Sequence, residues 1–276
     1  MARFIPDAKS LRWVVVSLNR ALRPGVDISK KKKKWKRKCP FCPGGAAVVE
    51  DEVFRLTAGG KLWKVFVVKN KYPITDIAEV IILSPSCKKD FDGLSVEEVE
   101  YVLQTYRQRY QTHDKVGQVL IFHNFGEEAG ASVVHPHSQL IVIPDQVGFK
   151  PLGVEPVFNV IEETEDFIIY CPEFSQWPYE TWIAPRGWGR TFGEITDKEI
   201  EELAPLLKKT IGSLKKLFPG LAYNFYIYPG RSWYLRIIPR LIEKGGMELG
   251  TGIHVNIVDP KQAAKDVKKV FGKIKA

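Results

Sequence analysis

Asp90-Phe91-Asp92-Gly93-Leu94-Ser95-Val96-Glu97-Glu98-Val99 returns, 101 positions later, as Thr191-Phe192-Gly193-Glu194-Ile195-Thr196-Asp197-Lys198-Glu199-Ile200. Each copy holds a capping box, Ser95 with Glu98 and Thr196 with Glu199, the pattern that satisfies free amide hydrogens where a helix begins. Helical spacing follows both boxes: Val99, Val102, Tyr106 and Tyr110 in one, and Ile200, Leu203, Leu207, Ile211 and Leu214 in the other. Pro205 is expected to kink the second helix or displace its neighbouring turn.

Working outward, each helix is preceded by two strand-like runs and followed by two more. The runs are 63–68, 79–83, 119–122 and 139–143 in the first half, and 167–170, 181–184, 222–228 and 233–238 in the second. Runs of this length with short links, and one helix per set, predict an antiparallel-rich α+β unit used twice. A closing helix is expected from Pro260, capped by Asp259, burying Ala264, Val267 and Phe271. Gly and Pro accumulate around residues 146–155, so the halves are divided as 1–150 and 151–276.

With 276 residues the chain can bury a sizeable core, and its apolar and charged fractions, 45% and 26%, are those of a folded protein rather than a disordered one. No apolar run approaches the ~20 residues that cross a bilayer. The start, Met1-Ala2-Arg3-Phe4-Ile5-Pro6-Asp7, lacks the apolar core of a signal peptide, so a cytoplasmic protein is expected. The formal charge of +9 favours an anionic partner, and much of it lies between Lys30 and Lys38, where Trp35 interrupts eight Lys or Arg residues. Such a run reads as a solvated basic loop or as a rim that attracts phosphates. Four cysteines are too few for a disulfide framework; Cys39-Pro40-Phe41-Cys42 reads as a metal knuckle or a redox pair.

Of the five histidines, His113, His123, His135, His137 and His254, two stand one residue apart in His135-Pro136-His137-Ser138-Gln139. That run follows the Gly-rich segment Asn124-Phe125-Gly126-Glu127-Glu128-Ala129-Gly130-Ala131-Ser132 and precedes an apolar strand. Together with Arg12-Trp13-Val14-Val15-Val16-Ser17, Arg20, Arg23-Pro24, the Cys39–Cys42 knuckle, Asn70-Lys71-Tyr72-Pro73, Trp177-Pro178-Tyr179-Glu180, Pro239-Arg240-Leu241 and Glu248-Leu249-Gly250, it resembles the galactose-1-phosphate uridylyltransferase family of the histidine triad superfamily. The order and spacing of these segments carry the resemblance over nearly the whole chain.

The resemblance implies two tandem histidine-triad-like halves, each a mostly antiparallel sheet with a flanking helix. It also implies uridylyl transfer between UDP-glucose and a hexose 1-phosphate such as galactose 1-phosphate, through a uridylyl-histidine. His137 would be the nucleophile, its tautomer fixed by a main-chain carbonyl of the same motif; a neutral imidazole suits this role near neutral pH. Gln139 would hold the transferred phosphoryl group, and a Gln rather than a third His there favours transfer over hydrolysis. Arg20, Arg23, Asn70 and Asn124 match nucleotide-associated positions, and Gly130, Ala131 and Ser132 the loop that meets the phosphates. Guanidinium forks suit a diphosphate.

One structural zinc site is implied at Cys39, Cys42, Cys87 and His135, with Cys87 standing at or beside a family histidine. A second metal site is not expected, because Ser232-Trp233-Tyr234-Leu235-Arg236 lacks the histidines that hold one in some relatives. The second half, whose one histidine is His254, would be a degenerate repeat without a nucleophile. Glu248 would reach the hexose across a homodimer interface. The rival within the superfamily is an ADP- or UDP-sugar phosphorylase with the same nucleophile. The rival outside it is a nucleic-acid-binding zinc protein, which leaves the His-Pro-His-Ser-Gln run unexplained.

Overall fold

The computed structural model describes residues 2–7, 12–17, 39–45, 47, 51–60, 62–149, 152 and 157–274. The first ladder is the antiparallel pair β1 (Arg3–Asp7) and β2 (Arg12–Val16). The elements that follow are β3 (Glu52–Leu56), β4 (Val65–Lys69), β5 (Ala78–Ile82), α1 (Val96–His113), β6 (Gln118–Phe125) and β7 (His137–Ile143). The second half continues with β8 (Val160–Glu163), β9 (Phe167–Tyr170), β10 (Thr181–Pro185), α2 (Asp197–Leu217), β11 (Tyr223–Ile227), β12 (Leu235–Pro239), α3 (Gly246–Thr251) and α4 (Pro260–Phe271).

Ten of these strands make one antiparallel sheet in the order β3-β4-β5-β7-β6-β11-β12-β10-β9-β8. From the outer edge inward, both halves follow one plan: three strands in chain order, then the last strand of the set, then the one before it. The halves do not close into separate sheets. β6 and β11 pair at the junction, with Tyr226 opposite Phe122 and Asn224 opposite Asn124, so the long sheet has no seam at which strand edges stay unsatisfied.

The capping boxes form as the sequence predicts. Ser95 and Thr196 accept from the amides of Glu98 and Glu199, whose carboxylates accept from the cap amides in return. Asp259 caps α4 by accepting from Lys261 and Gln262. α2 runs through Pro205 without a break: the missing donor costs one internal hydrogen bond, while the apolar face around it stays anchored by buried Leu203, Leu206 and Leu207. The two long helices and α4 cover one face of the sheet, where Val99, Tyr106, Ile121, Leu140, Leu203, Phe225, Val267 and Phe271 share a single core.

Inside that core lies a polar chain. Tyr106 and Ser138 hydroxyls meet in a very short contact, Ser138 Oγ lies 3.0 Å from His123 Nδ1, and His123 Nε2 lies 3.2 Å from Asp90 Oδ1. Tyr223 and Lys215 donate to Asp90 Oδ2 at 2.7 and 2.6 Å. Burial alone would raise the Asp90 carboxyl, but the His123 contact and the Lys215 ammonium outweigh it and hold the group well below the usual carboxylate range. The chain ties β7 to both long helices through Ser138, the neighbour of His137 in sequence. No helix among the described residues is long and apolar enough to cross a membrane.

Candidate active site and metal centre

His137 opens β7, facing away from the helices, and is 6% exposed. Its Nδ1 lies 2.8 Å from the carbonyl oxygen of His135. A carbonyl only accepts, so Nδ1 carries the hydrogen and the neutral ring keeps its lone pair on Nε2. The edge of Phe41 packs against the imidazole, with centroids 5.1 Å apart and an interplanar angle of 63°. Ring orientation is thus set from two sides, by main chain and by an aromatic edge.

Two residues further along β7, Gln139 returns to the same face. The Tyr72 amide donates to Asn70 Oδ1 (2.9 Å), which turns Asn70 Nδ2 toward Gln139 Oε1 at 3.4 Å. Gln139 therefore uses its oxygen inward and keeps its amino group to donate elsewhere, which suits a site for anionic oxygen. Asn124 lies on β6 on this face. The loop between them is shaped by two left-handed glycines, Gly126 (φ 87°) and Gly130 (φ 80°). A Cβ on Gly126 would fall 2.6 Å from that of Ala222, so only glycine fits against the second half there. The amides of Gly130 and Ala131 donate to the carbonyls of Glu127 and Gly126 and so hold the turn. Glu248 stands in α3, where its carboxylate accepts from the Gly245 amide at 3.0 Å; it does not join the His137 group within the chain. Arg20, Arg23 and the basic run Lys30–Lys38 lie outside the described residues.

The knuckle lies beside His137. Cys39, Cys42, Cys87 and His135 bring one ligand atom each to within 4.8 Å of one another. His135 Nε2–H donates to the Ser84 carbonyl at 2.8 Å, so its Nδ1 lone pair faces the sulfurs of Cys87, Cys39 and Cys42 at 3.3, 3.6 and 3.8 Å. Ligand atoms of a tetrahedral Cys3His zinc site stand roughly 3.6–3.8 Å apart. The Cys42–Cys87 sulfurs are closer, at 2.7 Å, yet all four cysteines are free thiols. Burial, and then contact with the Cys42 and Cys39 sulfurs, pushes the Cys87 thiol up to about 12; a bound dication is what lets such thiols ionise together. Burial lowers His135 below the ordinary histidine value, keeping it neutral as a ligand must be. The residues fit zinc in number, type and tautomer. Gly45 is required here too, since a Cβ would lie 2.4 Å from the Pro40 carbonyl oxygen. Cys171, the fourth cysteine, is a core thiol of the second half pushed up to about 12 by burial.

The purified chain is therefore expected to carry one zinc per protomer by elemental analysis. Cys87→Ser should weaken that binding by more than the ~10–100-fold typical of losing an outer-shell partner. Full zinc retention in Cys87→Ser would exclude Cys87 as a ligand.

Residues 65–143, which hold Asn70, Cys87, Asn124, His135, His137 and Gln139, match the profile of the galactose-1-phosphate uridyl transferase N-terminal domain. Over 96% of its length the chain is 28% identical to an ADP-glucose phosphorylase of Arabidopsis thaliana, covering 92% of that protein. It is 25% identical to a galactose-1-phosphate uridylyltransferase of Thermotoga maritima over 93% of its length and 95% of the relative's. The chain is thus similar, nearly end to end, to proteins of the galactose-1-phosphate uridylyltransferase and ADP-glucose phosphorylase kind, and carries that family's N-terminal-domain profile over residues 65–143. The structure of Arabidopsis thaliana ADP-glucose phosphorylase with bound ADP-glucose superposes with a TM-score of 0.75 at 25% identity, covering 98% of this chain and 99% of that one.

Three elements of the site leave no signature in the residue pattern. Phe41 lies between the knuckle cysteines, and only the fold sets it against His137. The Ser84 carbonyl that fixes His135 is main chain. Asn224 lies in the second half, a hundred positions from Asn124.

Proposed function

We propose that this chain moves a nucleotidyl group from a nucleoside diphosphate sugar to a phosphate-bearing acceptor through a covalent nucleotidyl-His137. The observation that carries the reading is the 2.8 Å hydrogen bond from His137 Nδ1 to the His135 carbonyl, which leaves Nε2 as the nucleophilic nitrogen. Nε2 attacks the α-phosphorus, the bond to the sugar 1-phosphate oxygen breaks, and that product leaves. An oxygen of the acceptor phosphate then attacks the same phosphorus, the P–N bond breaks, and the imidazole is regenerated. Gln139 donates to the non-bridging phosphoryl oxygens as charge builds on them. Arg20, Arg23, Asn70 and Asn124 are assigned to the nucleotide, residues 130–132 to the phosphate loop, and Glu248 to the hexose from a second protomer of a cytoplasmic homodimer. Zinc on Cys39, Cys42, Cys87 and His135 would brace the knuckle, and hence Phe41, without a chemical step of its own. The chemistry belongs to residues 1–150, with 151–276 as scaffold and substrate wall.

The first specific reading is uridylyl transfer between UDP-glucose and galactose 1-phosphate; the profile match across the nucleophile strand and the Thermotoga maritima relative support it. The second is phosphorolysis of ADP-glucose, favoured by the higher identity of the Arabidopsis thaliana relative, 28% against 25%. Incubation with UDP-glucose plus galactose 1-phosphate, and separately with ADP-glucose plus inorganic phosphate, distinguishes them. Product from the second pair alone overturns the uridylyl reading. Incubation with each donor alone should add one nucleotidyl mass per protomer, and its size names the base. No adduct with either donor would count against the class.

A further inference from the structure

The structure assigns Asn224, a residue of the half without a nucleophile, as a positioning residue that sets the amide of Asn124 toward the nucleotide and anchors the loop before Ser132. This inference rests on the nucleotidyl-transfer reading. Asn224 and Asn124 face each other across the β6–β11 junction, and Asn224 Nδ2 lies 2.8 Å from both Asn124 Oδ1 and the Ala129 carbonyl oxygen.

Chemistry decides which end of each amide points where. The Ala129 carbonyl can only accept, so Asn224 turns its amino group to it. That nitrogen's second contact is with Asn124, which must present its oxygen. The Asn124 amino group is thereby turned away from Asn224, offering two N–H donors and no acceptor. His123 pairs with Ser138 on the core side, so the adjoining Asn124 and His137 both project from the opposite face. A donor-only group beside a nucleophile that attacks phosphorus suits phosphoryl or ribose oxygens.

The second contact has a separate effect. Residues 126–131 form a closed turn, with the Ala131 amide on the Gly126 carbonyl at 3.1 Å and Gly126 against Ala222. By holding the Ala129 carbonyl, Asn224 bolts this turn to the second half. The degenerate repeat thus builds part of the site instead of merely backing it.

The test measures UDP and ADP affinity of the full chain by calorimetry, together with the rate of His137 adduct formation at saturating donor. Asn224→Ala should weaken nucleotide binding about tenfold, leaving the saturated adduct rate within about twofold. Asn224→Asp, which sets a carboxylate against two oxygens, should weaken binding more, and Asn224→Ser, which keeps one donor, less. Adding Asn224→Ala to Asn124→Ala should cost clearly less than the product of the single losses, because the two act through one contact.

Unchanged affinity in all Asn224 variants, or losses that multiply in the double variant, would overturn the assignment, as would a loss confined to the adduct rate. If Asn224→Ala fails to fold, the graded Ser and Asp variants carry the same comparison. An unsubstituted chain that forms the adduct but whose affinity ignores Asn224 refutes this inference alone. A chain that binds neither nucleotide refutes the underlying reading with it.

Discussion

Substituting His137 by alanine is expected to abolish the nucleotidyl adduct and to lower turnover by at least ~10⁴-fold, the scale of losing a covalent nucleophile whose reaction has no second route. Neither His135 nor His123 stands ready to replace it. His135 has its Nε2 on the Ser84 carbonyl and its Nδ1 on three sulfurs, and His123 is locked in the core between Ser138 and Asp90. Intact-mass measurement after incubation with donor reads the result directly. Zinc content and thermal midpoint should change little, because the substitution removes the ring from a site wall and leaves the metal ligands in place. An adduct that persists in His137→Ala would move the nucleophile elsewhere. Loss of adduct together with loss of zinc would show that the substitution disrupted the knuckle instead.

The second large effect is expected at Arg236, which occupies on β12 the face that His137 and Gln139 occupy on β7. Its guanidinium forks onto Glu180, with Nε on Oε1 at 2.7 Å and Nη2 on Oε2 at 2.8 Å. Glu180, wholly buried, also accepts from Trp182 Nε1 at 2.7 Å and from the Gln176 amide at 3.0 Å. Arg236→Leu would strand a buried carboxylate and should cost about 3–5 kcal/mol of stability in chemical denaturation. The deficit should shrink as pH falls, since a buried carboxyl without its partner has a folded-state pKa above the unfolded one, and protonation relieves the penalty. Replacing both residues, as Arg236→Leu with Glu180→Leu, should recover a large part of the loss, because no unpaired charge remains. A single substitution costing less than ~1 kcal/mol would mean the carboxylate finds other partners or water. A double variant no better than the single would place the stability in packing around Trp182, not in the charge pair.

Cross-strand pairing sets Arg236 in one row with Tyr226, Phe122 and Gln139, so where the first half holds a neutral amide the second holds a permanently charged fork. An arginine saturated by Glu180, Gln176 and Tyr226 is fixed in one protonation state and offers no lone pair to phosphorus.

The repeat, both capping boxes, the cap of α4 and most strand positions were legible because they depend on short-range facts. A capping box is a matter of three residues, and strand or helix spacing of two to four. His137 was legible for a similar reason: its tautomer is set by a carbonyl two residues away. The ligand set was legible in residue type, with the family resemblance pointing to Cys87. What remained closed were contacts between residues about a hundred positions apart. Nothing near Asn124 or Asn224 signals that β6 and β11 become neighbours and join two half-sheets into one of ten strands. Both strands have apolar neighbours on one face and an edge to satisfy, a condition many partners would meet. Only packing both helices and α4 over one shared core selects that pairing. The sequence by itself therefore determined the folded unit, its duplication and the residues whose chemistry suits nucleophilic attack and zinc binding. The tertiary structure decided that β6 pairs with β11 and sets Asn224 against Asn124, because that choice is made by long-range burial and edge pairing, which leave no periodic trace in the chain.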